Sequence, residues 1–407
     1  MALVPIGQLG LGMTLDEDVK DMNGRLLIAK GVSIETQHIR VLKMWGVAEV
    51  AVEEADSAPE EDTRGGLNTE QMDRAAREII KVFADLDLEH PAIKEVIKLS
   101  IPCRAVQPKK GPAPGEIPPQ QQNPGDPGSR DIFSKIERID VKLPEVPSVV
   151  FELNEIISDP LSSSADIARL VNQSPSLAAL LLKIVNSAFY GFRSKVDSIS
   201  RAVVMIGSKE ISNLALGITI MEAFKDIPRQ VMDVTSFMEH SLGCGIVARI
   251  LAAYANITAT EQLFVSGLLH DIGRLVVCRY FPQIMGSILA NARHANMSVM
   301  LSERTLAGKP HTQIGKALIK KWKLPYSLEN NVLYHHNPSA SPNPEAATVV
   351  QMADIIMHGL GFSGSGEHRV PGFDASAWDR LKIPAGALPA VVRQSVHQIE
   401  NFRKAIT

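Results

Sequence analysis

The chain has 407 residues, of which 45% are hydrophobic, 21% charged and 5% aromatic, with a formal net charge of -3. That length exceeds one ordinary core and predicts two or three domains. The composition excludes general disorder, and the charge excludes the basic field that drives binding to DNA or RNA polymers.

Three cysteines, Cys103, Cys244 and Cys278, without CxxC spacing, indicate neither a disulfide framework nor a thiolate zinc site and suit a reducing compartment. No uncharged apolar run reaches ~18 residues, and the N-terminus lacks the basic region of a secretory signal. The expected setting is cytoplasmic, with no membrane insertion.

Residues 1–55 alternate short apolar runs with turn signals. Asn23-Gly24, between Leu15-Val19 and Arg25-Ile28, predicts a β-hairpin by its turn chemistry. A short helix is expected around Ile34, Ile39, Val41 and Leu42, and a closing strand over Val47 to Val52. The expected module is small, β-rich and α+β. After an acidic spacer, residues 67–100 carry helical periodicity (Met72, Ala75, Ala76, Ile79, Ile80, Val82, Phe83), with a second helix over Ala92 to Leu99. Two helices cannot bury their apolar faces alone. They are expected to pack on a neighbouring region or on a second chain, as a connector or a homodimer contact.

Residues 101–130 are rich in Pro, Gly and Gln and predict a linker. From residue 131 the pattern is helical throughout. Residues 131–230 predict a helical bundle, and residues 231–407 a second helical lobe closed by a C-terminal helix over Leu388 to Ala405. Within that lobe one helix is expected over Glu261 to Phe281.

The second lobe carries His240, His270, Asp271, His311, His335, His336 and Asp354, mostly on otherwise apolar helices. Buried imidazoles and carboxylates are costly unless something satisfies them, and a divalent cation does so. Any one of these residues alone reads as an ordinary hydrogen-bonded side chain, whereas the ordered set reads as ligands. Mixed His and carboxylate donors predict a mono- or binuclear site for a divalent transition metal (Fe, Mn, Zn, Ni or Co) in preference to Ca or Mg. With two ions across Asp271, the site would suit metal-assisted hydrolysis. Asp271 is then the candidate catalytic carboxylate. Arg274, one turn after His270, is either a phosphoryl-binding cation or a solvated helix arginine. His38, His90, His294, His358, His368 and His397 read as ordinary histidines.

Residues 135–360 resemble the HDOD (HD-related output domain) proteins of the HD superfamily. The resemblance rests on LPEVPSVVFELNEIISDP, LVNQSPSLAALLLKIVNSAFYG, SISRAVVMIGSKEISNLALG and the His270-Asp271 motif. The Asn186-Ser187 pair is characteristic of that family and reads as a polar knot within an apolar helix. Gln173-Ser174-Pro175 departs from the acidic residue commonly found before the proline. Residues 240–354 also resemble the HD-GYP phosphodiesterases of cyclic di-GMP, whose pattern matches the seven candidate ligands in order. No Gly-Tyr-Pro follows His335-His336, Arg274 stands where that motif usually has Lys, and Ser236 stands where trinuclear members place a Glu ligand. Residues 1–55 are similar to the small module preceding many HD-GYP domains.

These resemblances imply a mainly α fold, a two-lobed all-α helical domain behind a small α+β module. They imply a bacterial signal-transduction output protein that binds a signalling protein partner or a nucleotide ligand and retains an HD-type metal site. The alternative they imply is a metal-dependent phosphohydrolase or phosphodiesterase acting on a nucleotide such as cyclic di-GMP.

Overall fold

In the computed structural model, strand β2 (Val19–Lys20) pairs antiparallel with β3 (Leu26–Ile28) across a bulge, the pairing expected of the Asn23-Gly24 hairpin. A second two-stranded sheet joins β1 (Ala2–Pro5) to β4 (Glu49–Val52), so the closing strand finds its partner at the start of the chain. Leu15, Ile34, Leu42, Val50 and Val52 fill a small core of their own. The structure describes residues 69–106, 148–158 and 163–406 apart from short breaks at 187–189, 191, 193, 225–226, 228–231, 365 and 371, together with parts of 2–52. The turn at 21–25, residues 36–37 and 40–41 of the expected helix around Ile34–Leu42 and the linker beyond residue 106 lie outside the described residues, while His38, Ile39 and Leu42 are helical.

Among the described residues every other element is helical. α1 (Thr69–Val82) and α2 (Pro91–Ala105) pack against each other. The second runs through Pro102 to Ala105, past the boundary expected from composition. Ile79, Phe83, Ile93 and Val96 are buried in the main core of this same chain. At about 1.5–3 kcal/mol for each such side chain, this burial seats the pair on the rest of the chain. Arg104 adds hydrogen bonds from Nε to the Gly359 carbonyl at 2.6 Å and from Nη2 to the His358 carbonyl at 2.5 Å.

The bundle region contributes α3 (Ser148–Ser158), α4 (Ser164–Asn172), α5 (Pro175–Val185), α6 (Ile199–Ile206) and α7 (Ser208–Glu222). Their starts are set by local chemistry. Ser163 and Asp166 cap α4 reciprocally, and Ser174 caps α5 with Pro175 in its first turn. Asn186 is not inside a helix, as the apolar run around it suggested, but caps the end of α5. Its amide donates to the carbonyls of Leu182 (2.8 Å) and Val196 (2.7 Å) and accepts from the Val196 N–H (2.7 Å), pinning the next connection to the helix end. Ser187 lies outside the described residues.

The remaining helices are α8 (Val234–Tyr254), α9 (Thr260–Leu269), α10 (Ile272–Tyr280), α11 (Pro282–His294), α12 (Val299–Ala307), α13 (His311–Lys321), α14 (Tyr326–Tyr334), α15 (Pro344–Gly359), α16 (Ala375–Arg380) and α17 (Leu388–Ile406). α15 is buried on every side from Ala346 to Gly359, as its all-round apolar sequence requires. It lies against α8, α9 and α14, with α2 on its outer side. Buried residues of the bundle and of this second region form one continuous core. Among the described residues no single helix is long and apolar enough to cross a membrane.

Candidate metal centre

The expected helix over Glu261 to Phe281 is broken at His270-Asp271, which form the junction between α9 and α10. Apolar periodicity continues on both sides, which is why the sequence reads as unbroken. The break matters because it turns both polar side chains toward the same interior space, where adjacent residues of a regular helix would diverge by about 100°.

Glycines bring the neighbouring backbones close enough to surround that space. A Cβ on Gly267 would lie 2.6 Å from the Cys244 carbonyl oxygen, and one on Gly245 2.8 Å from that of Phe264, so α8 and α9 cross backbone to backbone. The crossing sets the His240 and His270 rings 5.4 Å apart. On the other side a Cβ on Gly273 would lie 2.0 Å from the His311 carbonyl oxygen and 2.8 Å from the Gly315 nitrogen. α10 and α13 thus touch at the turn that presents His311 to Asp271. Gly273→Ala is expected to destabilise the chain by about 1–3 kcal/mol or more, because backbone and not a flexible side chain must move. Urea unfolding measures this, and an unchanged midpoint would mean that the close approach is not required.

All seven predicted residues converge. His240, His270 and Asp354, joined by Cys244, form one group of donors. Asp271, His311, His335 and His336 form the other, and within each group the donor atoms lie within 4.8 Å of one another. In the first group, Asp354 Oδ1 lies 3.2 Å from His240 Nε2 and 3.7 Å from His270 Nε2. In the second, Asp271 Oδ1 lies 3.0 Å from His311 Nε2 and 3.9 Å from His335 Nε2. The other Asp271 oxygen, Oδ2, is 3.6 Å from His270 Nε2, so this carboxylate stands between the groups. His240, His270, His311 and His335 are fully buried, Asp271 and Asp354 are 2–3% exposed, and His336 is partly exposed.

The outward nitrogens explain the orientation of the rings. His240 Nδ1 is 2.6 Å from the Phe362 carbonyl oxygen, His270 Nδ1 2.8 Å from that of Gly267, and His335 Nδ1 2.9 Å from that of Val332. His311 Nδ1 lies 2.6 Å from Glu303 Oε2. With each Nδ1–H donated outward, the Nε2 lone pairs face inward, the arrangement by which proteins orient metal-binding imidazoles. His270 Nε2, Asp271 Oδ1 and Asp354 Oδ1 are buried and yet in no aligned hydrogen bond, despite their close neighbours. Close, inward-facing and unpaired donors fit a divalent cation.

The electrostatics point the same way. Burial opposes ionisation of Asp271, but Arg274, His270 and His311 outweigh it and hold the carboxyl well below its usual range. Burial likewise opposes ionisation of Asp354 and is outweighed by His358 and by the close approach of the His240 and His270 rings. Burial, with the charges of His270 and His311, pulls His335 down to about 3, and burial together with His335 and His311 holds His336 well below its ordinary value. Ionised carboxylates and neutral imidazoles are the forms that ligate metals. His270 and His311 differ. Burial disfavours charge on both, but Asp271 and Asp354 raise His270, and Glu303 raises His311 to about 9, so metal ligation at either would displace a proton.

Arg274 is neither solvated nor available to a phosphate. It is 1% exposed, with Nη1 3.1 Å from Asp271, Nε 3.4 Å from Glu303 and Nη2 2.8 Å from Glu367. Glu303 and Glu367, which the sequence did not single out, are 2–3% exposed. Glu303 also accepts from the His311 backbone N–H at 2.9 Å, and Glu367 from that of Val299 at 2.7 Å. Among the histidines read as ordinary, His90 caps α2, whereas His358 joins the centre, with Nε2 3.2 Å from Asp354 Oδ1. Its spacing four residues after Asp354 was the available signal. Ser236 turns its hydroxyl to Asp233 at 2.6 Å, and the segment after His336 forms a short 3-10 turn, Pro338–Ala340.

Residues 143–338 match the HDOD domain family. This region is an HDOD domain. The chain is similar in fold to an HDOD domain protein of unknown function from Geobacter sulfurreducens. That match has a TM-score of 0.56 and 21% identity, and covers 67% of this chain and 99% of the other. A Shewanella amazonensis protein provisionally described as a phosphohydrolase matches with a TM-score of 0.54 at 22% identity, over 68% of this chain and 98% of the other. A curated but uncharacterised protein of Treponema pallidum is 27% identical over 210 residues, 51% of this chain. The match spans only 40% of that relative's length. The HDOD match stops short of Asp354, His358 and Glu367, so the loop and helix that complete the centre lie outside it.

Proposed function

We propose that this chain is a signal-transduction output protein whose HDOD region holds a buried divalent metal centre and acts by binding a signalling protein or a nucleotide. The observation that carries this reading is the state of Arg274. The cation nearest the donors, well placed by sequence to meet a phosphate, is enclosed by Asp271, Glu303 and Glu367. A guanidinium serving three carboxylates supports a framework and is not itself free to meet a substrate phosphoryl.

His240, His270 and Asp354 would hold one ion, and Asp271, His311, His335 and His336 a second. When bound, such ions supply positive charge that compensates the buried carboxylates and ties α8, the α9–α10 junction, α13, α14 and α15 together. The partly exposed His336 is the point at which the second reading, hydrolysis of a nucleotide, finds support.

The two readings separate in one assay. Full-length protein loaded with Mn or Fe is incubated with a nucleotide panel that includes cyclic di-GMP, beside the Asp271→Ala variant. No product above that of the variant is expected, together with one or two transition-metal ions per chain by elemental analysis. Turnover abolished by Asp271→Ala would replace this reading with the phosphodiesterase one.

A further inference from the structure

The three cysteines show no metal-binding spacing along the chain, but the fold gives one of them a ligand's position. Cys244 follows His240 by four residues on α8, so the two side chains share a face one turn apart. Its sulfur is 3.5 Å from His240 Nε2 and belongs to the same buried group of donors as His270 and Asp354. The α8–α9 crossing at Gly245 and Gly267 places it there, since the Cys244 backbone itself is what Gly267 touches.

We propose that Cys244 is a thiolate ligand of the first metal position, which is therefore a Cys-His-His-Asp site. The proposal rests on the metal-centre reading and deepens it. Three observations carry it. The first is separation. A tetrahedral ion with metal–sulfur bonds of about 2.3 Å and metal–nitrogen or metal–oxygen bonds of about 2.0–2.2 Å spaces sulfur from nitrogen by about 3.5 Å and nitrogen from oxygen by about 3.4 Å. The corresponding distances are 3.5 Å for Cys244 to His240, and 3.2 and 3.7 Å for Asp354 to His240 and His270.

The second is the unpaired state of the neighbours. His270 Nε2 and Asp354 Oδ1 are buried without an aligned partner, and the His240 ring is turned by Phe362 so that its Nε2 faces the same point. A thiol donating to His240 would instead occupy the Nε2 lone pair that the ring turns toward these two atoms. The third is charge. A thiolate beside the Asp354 carboxylate matches a divalent ion at this position without drawing on Asp271, which stands between the two groups. On ligation the thiol gives its proton to solvent, no electron is transferred, and the sulfur lone pair forms the bond.

A thiolate makes the two positions chemically unequal. The first is softer and suits Zn, Co or Fe, while the second offers only carboxylate and imidazole donors.

Cobalt is the probe. Full-length protein stripped of metal and titrated with Co(II) is expected to show visible d–d bands together with a sulfur-to-cobalt charge-transfer band in the near ultraviolet. In Cys244→Ser the charge-transfer band is expected to vanish while d–d absorption from the second position remains. Cys103 and Cys278 are kept as internal controls. Bound cobalt without a charge-transfer band in the unmodified chain, a measurement that needs no variant, would overturn the thiolate assignment and leave the metal centre standing. A band unchanged in Cys244→Ser would do the same, and failure to bind cobalt at all would overturn both.

Discussion

Restoring a divalent transition metal to chelator-stripped protein is expected to raise its thermal midpoint by about 8–16 °C. The figure follows from linkage. A ligand at a thousand times its dissociation constant adds about 4 kcal/mol to the folded state, and each kcal/mol moves the midpoint of a helical unit this size by about 2–4 °C. The structural reason is that the donors come from α8, the α9–α10 junction, α13, the end of α14 and α15, so one ion pair joins segments more than a hundred residues apart. Without the ions, His270 Nε2, Asp271 Oδ1 and Asp354 Oδ1 remain buried and unpaired. Asp354→Ala is expected to lose most of the metal-dependent rise when each protein is compared with its own metal-free form. Differential scanning calorimetry measures it, and a midpoint indifferent to metal would count against the centre altogether.

Arg274→Met is expected to lower the unfolding free energy by about 3–5 kcal/mol. Methionine fills much of the volume but leaves Asp271, Glu303 and Glu367 together in the interior without a cation. Burial already pushes Glu367 up to about 7, with Arg274 beside it resisting the rise, so this cluster is close to the limit of what its charges can balance. Arg274→Lys is expected to recover only part of the loss, because an ammonium cannot present separate N–H groups to three carboxylates. The loss should extend to metal affinity, since Asp271 is oriented by the guanidinium and His311 by Glu303. Urea unfolding of the metal-free proteins measures the first effect and metal titration the second. Equal stability of Arg274→Met and the unmodified chain would return Arg274 to the role of an accessible phosphate-binding residue.

The seven candidate ligands were legible because each is a polar exception in apolar surroundings, and a buried imidazole or carboxylate announces a need that only a partner can meet. The groups that hold them were not. Glu303 and Glu367 have polar neighbours in sequence, so neither looks buried. His358 is one of several histidines near a helix end, and Cys244 reads as a small apolar residue. Whether any of them reaches the centre depends on where α8, α12, α15 and the loop after α15 pass one another. The break at His270-Asp271 was hidden for a related reason, since periodicity registers the apolar face on either side and not the turn between. Asn186 marked its own importance through its polarity, but its place at the end of α5 is set by the Val196 backbone it holds, ten residues further on.

By itself, then, the order of apolar and polar residues determined that this chain is mainly helical, that a small hairpin-bearing module precedes the helices, and which buried side chains could hold a cation. These are local properties, written in turn chemistry, helical period and the cost of burying polar atoms. The tertiary structure alone decided that Arg274 serves three carboxylates, that α1 and α2 belong to the core of this same chain, and that Cys244 stands among the donors. Those outcomes depend on backbones meeting at Gly245, Gly267 and Gly273. Contact between segments distant in sequence is set by packing the whole core at once, and no single window of residues contains it.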